Sequence, residues 1–283
     1  MSALRAWLDR FPKPFVQLLR LTRLGALGLL EPFDWVHRRV TSAIDRGRVP
    51  PLWLRRHSGP IWAFDRAAGE IAATIAVLNL LRDDARVLDV GCGCGSMAVE
   101  FQRMLGRSGT YVGFDVHGPS IRWCKKRFAA DGRFRFELAE LSTAWSDGPN
   151  PVVEYRFPMN DAGADFVLAK SVFTHLLERE SQHYLREIRR VLQHGRAALL
   201  TAFLLEDGGV APQAFRPPEL TFPHGGHPVW WRVKSRPESA VAYEKTYFLG
   251  MVEAAKLRVE RLIHGSWSGR GPSPNAQDII IAS

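Results

Sequence analysis

Cysteine is scarce in this chain of 283 residues, and long apolar runs are missing from it. The three cysteines, Cys92, Cys94 and Cys124, are too few for a disulfide framework, and no further His/Cys pair completes a metal-ligand spacing. We therefore expect a reducing compartment and no metal. No apolar run reaches the roughly 18 residues of a membrane span, and the first residues lack the layout of a secretory signal. These absences predict a cytoplasmic protein.

Basic residues outnumber acidic ones, and the net charge of +9 is concentrated towards the N-terminus. Residues 1–60 hold eleven Lys or Arg but only four Asp or Glu. The basic residues alternate with Leu, Phe and Trp at helical spacing, and Pro12 and Pro14 separate a first helix from a second. This pattern predicts a basic helical cap over residues 1–66. Contact with a membrane surface or another anionic partner is one interpretation of its charge, and a solvated helix face is the other.

Residues 86–98 carry the strongest signal in the chain. An apolar run predicts a buried strand that contains Asp89 and leads into three alternating glycines, Gly91, Gly93 and Gly95. A strand, a glycine turn and a helix N-terminus allow backbone N–H groups to approach a nucleotide-like ligand without an intervening Cβ. The spacing D-x-G-x-G-x-G differs from the G-x-G-x-x-G fingerprint of dinucleotide sites. A carboxylate before the glycines would repel a pyrophosphate, but it could accept a hydrogen bond from an ammonium group.

Strands and helices are predicted to alternate through the rest of the chain. The predicted helices cover residues 67–81, 97–105, 119–130, 178–192 and 243–256. The further predicted strands cover residues 110–116, 134–138, 165–170, 196–205, 258–264 and 277–282. We interpret residues 142–163 as a loop insertion with a short strand at 152–157, residues 207–240 as a long irregular loop, and His194 with Gly195 as a helix stop. This order predicts an α/β fold with a doubly wound, seven-stranded, mostly parallel sheet and an antiparallel last strand.

From about residue 60 to its end, the chain resembles the class I S-adenosylmethionine-dependent methyltransferases. The segments that carry the resemblance are Val87–Gly95, Gly113–His117, Ser171–Leu176, Tyr184–Leu192, Gly265–Arg270 and Gln277–Ile280. They look like a bacterial subgroup whose members often methylate small molecules or sugars. The resemblance implies a Rossmann-like methyltransferase domain over residues 67–283, with residues 207–240 as a substrate loop. Two departures are Glu140, where the family often has Asp, and residues 193–195, where it usually has Pro-Gly-Gly.

The resemblance also implies S-adenosylmethionine as the cofactor and assigns residues to its parts. Asp89 and the glycine backbone would hold the methionine end, Asp115 the ribose, and Glu140 with Leu141 the adenine. An acid at the end of a second strand is the usual partner of ribose hydroxyls, although NAD enzymes share it. The expected cofactor-binding residues are Asp89, Gly91, Cys92, Gly93, Gly95, Asp115, Val116, Glu140, Leu141, Lys170 and Ser171.

Methyl transfer by in-line displacement needs a positioned acceptor and the exclusion of water. We expect a small-molecule acceptor, with oxygen favoured, and a hydroxyl acceptor would need a base such as histidine. His175 follows the fourth strand at the ligand-binding edge and is the first choice for that base, although it could instead cap the turn. The other residues expected on the acceptor side are His224 and His227 as catalytic or substrate-contacting groups, and Phe173, Trp230 and Trp231 as pocket walls.

Other functions remain open at this stage, while some are disfavoured by missing motifs. A DNA methyltransferase acting on adenine N6 would need an Asn/Asp-Pro-Pro-aromatic run after the fourth strand, where the chain has residues 170–173 instead, so no nucleic-acid partner is expected. The metal-binding acids of catechol-type enzymes are missing too. An NAD-dependent oxidoreductase, a non-enzymatic binding module at a membrane, and a retained cofactor site with changed chemistry are the remaining alternatives.

Overall fold

The computed structural model describes residues 30–36, 49–55, 64–206, 208–209, 220–269, 273 and 275–283. The chain divides into two units, Met1–Phe64 and Asp65–Ser283. In the first unit residues 30–36 are helical, and a short helix spans Leu52–Arg55. Arg55 pairs there with Asp34. The predicted helices before residue 30 lie outside the described residues, so the basic cap stays a prediction.

A seven-stranded sheet forms the centre of the second unit. Its strands are β1 (Arg86–Val90), β2 (Thr110–Asp115), β3 (Phe134–Leu138), β4 (Ala164–Ala169), β5 (Leu192–Ala202), β6 (Val259–Ile263) and β7 (Asp278–Ala282). Their spatial order is β6-β7-β5-β4-β1-β2-β3. Strand β7 is antiparallel to both β5 and β6, and the other neighbours pair in parallel. The predicted mostly parallel sheet with an antiparallel last strand is confirmed.

Helices cover both faces of this sheet. They are α1 (Phe64–Val77), α2 (Ser96–Met104), α3 (Gly118–Arg127), α4 (Glu178–Val191) and α5 (Lys245–Ala254). Apolar residues of α1, α2 and α3 share one buried cluster with Val87 of β1, while those of α4 and α5 share another with Leu88 and Val90. Because successive strand residues point to opposite faces, β1 is buried on both sides. That accounts for the apolar residues Val87, Leu88 and Val90 along it and confirms the doubly wound arrangement.

The segment after β3 is more ordered than the sequence suggested. Three short strands, Leu141–Thr143, Ser146–Asp147 and Asn150–Pro151, form a small sheet, and a 3₁₀ turn spans Val152–Glu154. The predictions of a loop here and of a strand at 152–157 are therefore wrong. The backbone N–H of Ser146 donates to Thr143 Oγ1 at 3.0 Å, a local side-chain bond that closes the hairpin.

Part of the predicted irregular loop at 207–240 is also a sheet. His224–Gly226, Val229–Trp231 and Val241–Glu244 join Leu204–Leu205 in a four-stranded sheet, while residues 207 and 210–219 lie outside the described residues. Helix α5 consequently begins at Lys245 and not at residue 243. Valine and tryptophan favour the pleated, half-buried surface of a strand, which the interpretation of this segment as a loop overlooked.

Asp278 at the start of β7 anchors this second sheet to the first. Its carboxylate is buried and accepts hydrogen bonds from the N–H groups of Leu204 at 2.9 Å and Gly265 at 2.8 Å, and from Trp267 Nε1 at 2.7 Å. Trp267 in turn packs at the centre of an apolar cluster with Phe203. One carboxylate therefore fixes the loop after β5 and the loop before β7.

The predicted helix stop at His194 and Gly195 is wrong. Helix α4 ends at Val191, and the strand begins at the next residue. Gly195, with φ +73°, lies inside β5, where the register with β4 shifts between Ala164 and Phe166. Glycine supplies the left-handed conformation that this irregularity in the strand requires.

Candidate functional site

The turn after β1 is shaped by three glycines in left-handed conformations. Gly91, Gly93 and Gly95 have φ values of +70°, +54° and +82°. A Cβ on Gly91 would lie 2.8 Å from Val172 Cγ2, and one on Gly95 would lie 3.0 Å from Cys124 Sγ. Glycine is required here both by the conformation and by the space. The turn therefore presents backbone without side chains at the carboxyl edge of β1.

Asp115, at the end of β2, is bound directly to this turn. Its Oδ2 accepts the Gly93 N–H at 2.8 Å, and its Oδ1 accepts the His117 N–H at 2.8 Å. Burial raises the pKa of Asp115, and these amides, with that of Val116, oppose the rise. A carboxylate has about four lone-pair sites, so Asp115 can accept a further hydrogen bond beside those of the three amides. A ligand hydroxyl is the chemistry that this position suits.

Asp89 lies beneath the turn with 1% of its surface exposed. Tyr111 Oη donates a hydrogen bond to Asp89 Oδ2 at 2.6 Å. Burial raises the pKa of Asp89 to about 7, against the lowering effects of the Tyr111 hydrogen bond and of the Lys170 charge. Burial likewise lowers the pKa of Lys170, and the charges of Asp89 and Glu70 oppose that change. The two predicted residues Asp89 and Lys170 are thus electrostatically coupled.

Ser171, the second residue after β4, has a left-handed conformation with φ +59°. Its N–H donates to Thr201 Oγ1 at 2.7 Å, and its hydroxyl donates to Gln277 Oε1 at 3.1 Å. Thr201 donates to the same Gln277 oxygen at 2.5 Å. A non-glycine residue in this conformation costs about 1–2 kcal/mol, and these bonds from β5 and the edge of β7 hold it there. The result is a loop that runs directly against the glycine turn.

The two residues expected around an adenine, Glu140 and Leu141, differ in solvent exposure. Glu140 is exposed, and its carbonyl accepts Asn150 Nδ2 at 3.0 Å. The Leu141 side chain is fully buried in the core, and its N–H donates to Ala139 O at 2.9 Å. Burial removes the Leu141 side chain from a ligand surface, whereas Glu140 is accessible to one. Cys92, in the glycine turn, is buried as well.

His175 lies four residues beyond Ser171 in the same loop. Its Nδ1 is 2.8 Å from the Glu238 carbonyl oxygen. Because a carbonyl only accepts, Nδ1 carries the proton in the neutral ring and Nε2 is left as an acceptor. Burial and the nearby Arg236 charge lower the pKa of His175, which keeps the ring neutral at pH 7. This is the protonation state that a general base needs.

Residues 87–195 match the family described as a methyltransferase domain. The matched part runs from β1 through the glycine turn and Asp115 into β5. The chain therefore contains a methyltransferase domain. The methyltransferase domain therefore contains the glycine turn, Asp115 and His175, whereas the four-stranded sheet lies beyond the matched residues.

Solved structures with this fold span most of the chain. A SAM-dependent methyltransferase from Aquifex aeolicus is similar with a TM-score of 0.51 and 18% identity, over 82% of this chain and 97% of that one. A 1,6-didemethyltoxoflavin-N1-methyltransferase from Burkholderia thailandensis, solved with 1,6-didemethyltoxoflavin and S-adenosylhomocysteine, gives a TM-score of 0.52 and 16% identity, over 78% of this chain and 80% of that one. At these identities the similarity establishes the fold.

A curated relative is similar over a short segment only. It is a probable cobalt-precorrin-6B C(15)-methyltransferase (decarboxylating) from Thermoplasma acidophilum, 47% identical over 38 residues. The match covers 13% of this chain and 19% of the relative. The chain thus matches about a fifth of the length of that relative.

The geometry of the methyltransferase domain fits S-adenosylmethionine. The glycine turn would offer the methionine end of the cofactor a backbone without side chains, and a Cβ at Gly91 would meet Val172. Helix α2 begins after Gly95 without a side-chain cap, so its first N–H groups have no side-chain partner from the cap residue. Asp115 retains lone pairs for ribose hydroxyls. In the described part of the chain, no group of three or more His, Cys, Asp or Glu could hold a metal ion.

The other two histidines predicted for the acceptor side, His224 and His227, do not contact His175. His227 Nδ1 is 2.7 Å from Glu244 Oε2, and its side chain is 69% exposed. His224 is half-buried opposite Trp231 in the hairpin. No hydrogen bond or ring contact within the described residues joins either of them to His175. His175 differs from them in its place, because it lies in the loop after β4 at the carboxyl edge of the large sheet.

The predicted aromatic walls are divided between the core and the site. Phe173 is fully buried and packs edge-on against Phe248, with ring centroids 5.3 Å apart, so it belongs to the core and its prediction as a wall is corrected. Trp230 packs against the apolar cluster around Trp267. Trp231 is half-buried, and its Nε1 has no hydrogen-bond partner among the described residues. Only Trp231 keeps the features of a site residue.

Two residues next to His175 were missed by the sequence analysis. Trp145 lies edge-on to the His175 ring, with centroids 5.4 Å apart, and is 44% exposed. Arg236 Cζ lies 5.0 Å from the centroid of the Trp145 ring. Both residues come from segments that were interpreted as irregular loops, where no periodicity marks the side on which a residue lies. An exposed tryptophan in a short insertion was the one available signal.

Proposed function

We propose that this protein transfers the methyl group of S-adenosylmethionine to a hydroxyl oxygen of a small molecule. The proposal is supported above all by the turn after β1, where three left-handed glycines and Asp115 meet at the carboxyl edge of the sheet. Ligands of open α/β sheets bind at this edge. When bound, the cofactor supplies a methyl group that its sulfonium already activates.

The protein's own residues would bind the cofactor, orient the acceptor and accept its proton. The backbone of the glycine turn would hold the methionine end, with the charge of the buried Asp89 beneath it. Asp115 would hold the ribose hydroxyls, and Glu140 the adenine edge. His175 Nε2 would accept the proton of the acceptor hydroxyl, while the Glu238 carbonyl holds the ring through Nδ1. Partial burial of His175 would limit the access of water to that proton transfer.

Calorimetry on the full chain tests the cofactor assignment. We expect S-adenosylmethionine and S-adenosylhomocysteine to bind, and NAD to give no heat. Asp115→Asn should weaken binding by about tenfold or more, because a hydrogen bond to a charged group contributes about 1.5–3 kcal/mol. Asp147→Asn is the matched control, since Asp147 is exposed in the small sheet after β3. Well-folded protein that takes up neither compound would refute the assignment.

Replacement of His175 tests the assignment of the base. At saturating cofactor, His175→Ala should lower the rate of methylation of a hydroxyl acceptor by about 10²–10⁴-fold without changing the affinity for S-adenosylhomocysteine. The wild-type rate should rise with pH as the imidazole loses its proton, at a pH below the usual range of histidine because its pKa is lowered. His224→Ala is the control. A variant at His175 with the wild-type rate at every pH would exclude the role.

A second role, contact of the first unit with an anionic membrane surface, is favoured by exposed apolar side chains there. Phe33 is 74% exposed and Val36 is 51% exposed, in a stretch of sequence that carries most of the positive charge. Co-sedimentation with vesicles of phosphatidylserine should be strong at low salt and weak at high salt. Equal binding to neutral vesicles would contradict it. No helix of the described residues is long and apolar enough to cross a membrane.

A further inference from the structure

Three separate segments meet around His175 and form what we call the His175 cluster, defined by Trp145, Thr174, His175, Arg236 and Ser239. Trp145 comes from the small sheet after β3, Thr174 and His175 from the loop after β4, and Arg236 and Ser239 from the segment before Val241–Glu244. Trp145 contacts both the His175 ring and the Arg236 guanidinium. The cluster therefore holds a flat aromatic surface, a cation and a neutral imidazole within contact distance of one another.

Two hydroxyls of the cluster are buried without a partner. Thr174 is 1% exposed, and neither its Oγ1 nor the Oγ of Ser239 has a hydrogen-bond partner among the described residues. Thr174 directly precedes His175, and Ser239 directly follows Glu238, whose carbonyl oxygen binds His175 Nδ1. The backbone also joins the two segments, since the Val241 N–H donates to the Thr174 carbonyl at 2.8 Å. Unpaired buried hydroxyls are unfavourable, and a ligand with an oxygen acceptor would satisfy them.

We propose that the His175 cluster is the acceptor subsite and that it selects a flat aromatic or enolic hydroxyl compound, with a flanking oxygen that accepts from Thr174 or Ser239. The proposal rests on the proposed function and specifies its substrate class. The acceptor ring lies against Trp145, and its hydroxyl donates to His175 Nε2. When that proton moves to Nε2, the imidazole becomes a cation and the acceptor oxygen becomes an anion that faces Arg236.

The electrostatics of the cluster favour an acidic hydroxyl over an aliphatic one. Burial and Arg236 lower the pKa of His175, and the Glu238 carbonyl opposes them. The Glu238 carboxylate and Glu180 are the acidic groups near this segment, and their charges interact with each other. Every unit of difference in pKa between the acceptor and the base makes proton transfer about tenfold less favourable. A weakly basic imidazole beside a guanidinium therefore suits a phenol or an enol far better than a sugar hydroxyl.

A coloured phenol allows a test without methyl transfer. The full chain, saturated with S-adenosylhomocysteine, is titrated with 4-nitrophenol, whose phenolate band reports the ionisation of the bound molecule. We expect binding with the apparent pKa of the phenol lowered. Arg236→Gln should weaken binding of the phenolate by about tenfold and remove the shift, whereas Arg236→Lys should retain most of it. Lys234→Gln, which removes an exposed cation from the same segment, is the matched control and should have no effect.

Separate experiments test the two hydroxyl donors and the substrate class. Thr174→Val should weaken 4-nitrophenol binding, and Thr110→Val, at an exposed threonine of β2, should leave it unchanged. Methyl glucoside should neither displace the phenol nor accept a methyl group. Displacement by methyl glucoside, equal effects of Arg236→Gln and Lys234→Gln, or no binding of 4-nitrophenol to the loaded protein would overturn the substrate class. Failure of S-adenosylhomocysteine itself to bind would instead overturn the proposed function.

Discussion

Replacement of Tyr111 by Phe should destabilise the protein in a way that depends on pH. The hydroxyl of Tyr111 donates to the buried Asp89 carboxylate at 2.6 Å, and its ring stacks on Phe134 with centroids 5.0 Å apart. Phenylalanine keeps the ring and removes only the donor. Since a hydrogen bond to a charged group contributes about 1.5–3 kcal/mol, the pKa of Asp89 should rise by a further one to two units or so.

The sign of the pH dependence follows from proton linkage. Folding raises the pKa of Asp89 from 3.8 to about 7, so the folded state binds a proton that the unfolded state releases. The stability of the wild type should therefore fall as the pH rises through this window, by about 4 kcal/mol for a fully buried group. In Tyr111→Phe the fall should extend above pH 7. The difference in unfolding free energy between the wild type and Tyr111→Phe should thus grow with pH. Above pH 7 it should be about 2 kcal/mol larger than at acidic pH.

Urea unfolding followed by circular dichroism from about pH 5 to about pH 9 measures this difference. Tyr243→Phe is the matched control, because the buried Tyr243 hydroxyl donates to the neutral Leu176 carbonyl at 2.7 Å and also contacts Ser181. Its cost, about 1 kcal/mol, should be independent of pH. A constant cost for Tyr111→Phe across the range, or the same slope in both variants, would refute the assignment of the coupling to Asp89.

Three further substitutions test the glycine turn and the anchor of the four-stranded sheet. Gly91→Ala should weaken binding of S-adenosylhomocysteine by about tenfold or more in calorimetry, because the φ of +70° costs an alanine about 1–2 kcal/mol and its Cβ would meet Val172. Adding Val172→Ala to Gly91→Ala should recover only the part of the lost affinity that is due to the clash with Val172. Unchanged binding by Gly91→Ala would show that the turn does not contact the ligand. Asp278→Asn should cost about 3 kcal/mol in thermal unfolding, because the amide cannot accept from all three N–H donors, among them the Trp267 indole. A loss below about 1 kcal/mol would show that the anchor is dispensable.

The sequence was most informative where a strand is buried on both faces and ends in residues of special geometry. Strand β1 and its glycine turn could be predicted because apolar runs, glycine and acidic residues report burial and backbone conformation locally. The Asp89–Tyr111 hydrogen bond could not be predicted in the same way. It depends on the register between β1 and β2, in which Val87 lies opposite Tyr111, and a register is a property of two segments.

The acceptor side was harder to predict for the same reason. Phe173 and His175 lie two residues apart in one turn, and nothing local distinguishes the core residue from the residue proposed as the base. Trp145 and Arg236 reach His175 only because the small sheet and the four-stranded sheet fold towards the same loop. Strands of two or three residues leave almost no periodicity in the sequence, so their pairing could not be predicted from it.

The contact between Gly91 and Val172 has a consequence for how this protein could acquire new substrates. Val172 touches the cofactor-side turn, and His175 stands three residues later, a span of at most about 11 Å. In the proposed reaction, one short peptide would therefore set the separation between the bound methyl donor and His175. Trp231 and Arg236, in contrast, come from later segments beyond the matched domain. Such an arrangement would allow the segments that carry Trp231 and Arg236 to change in evolution while the spacing between the glycine turn and His175 is kept.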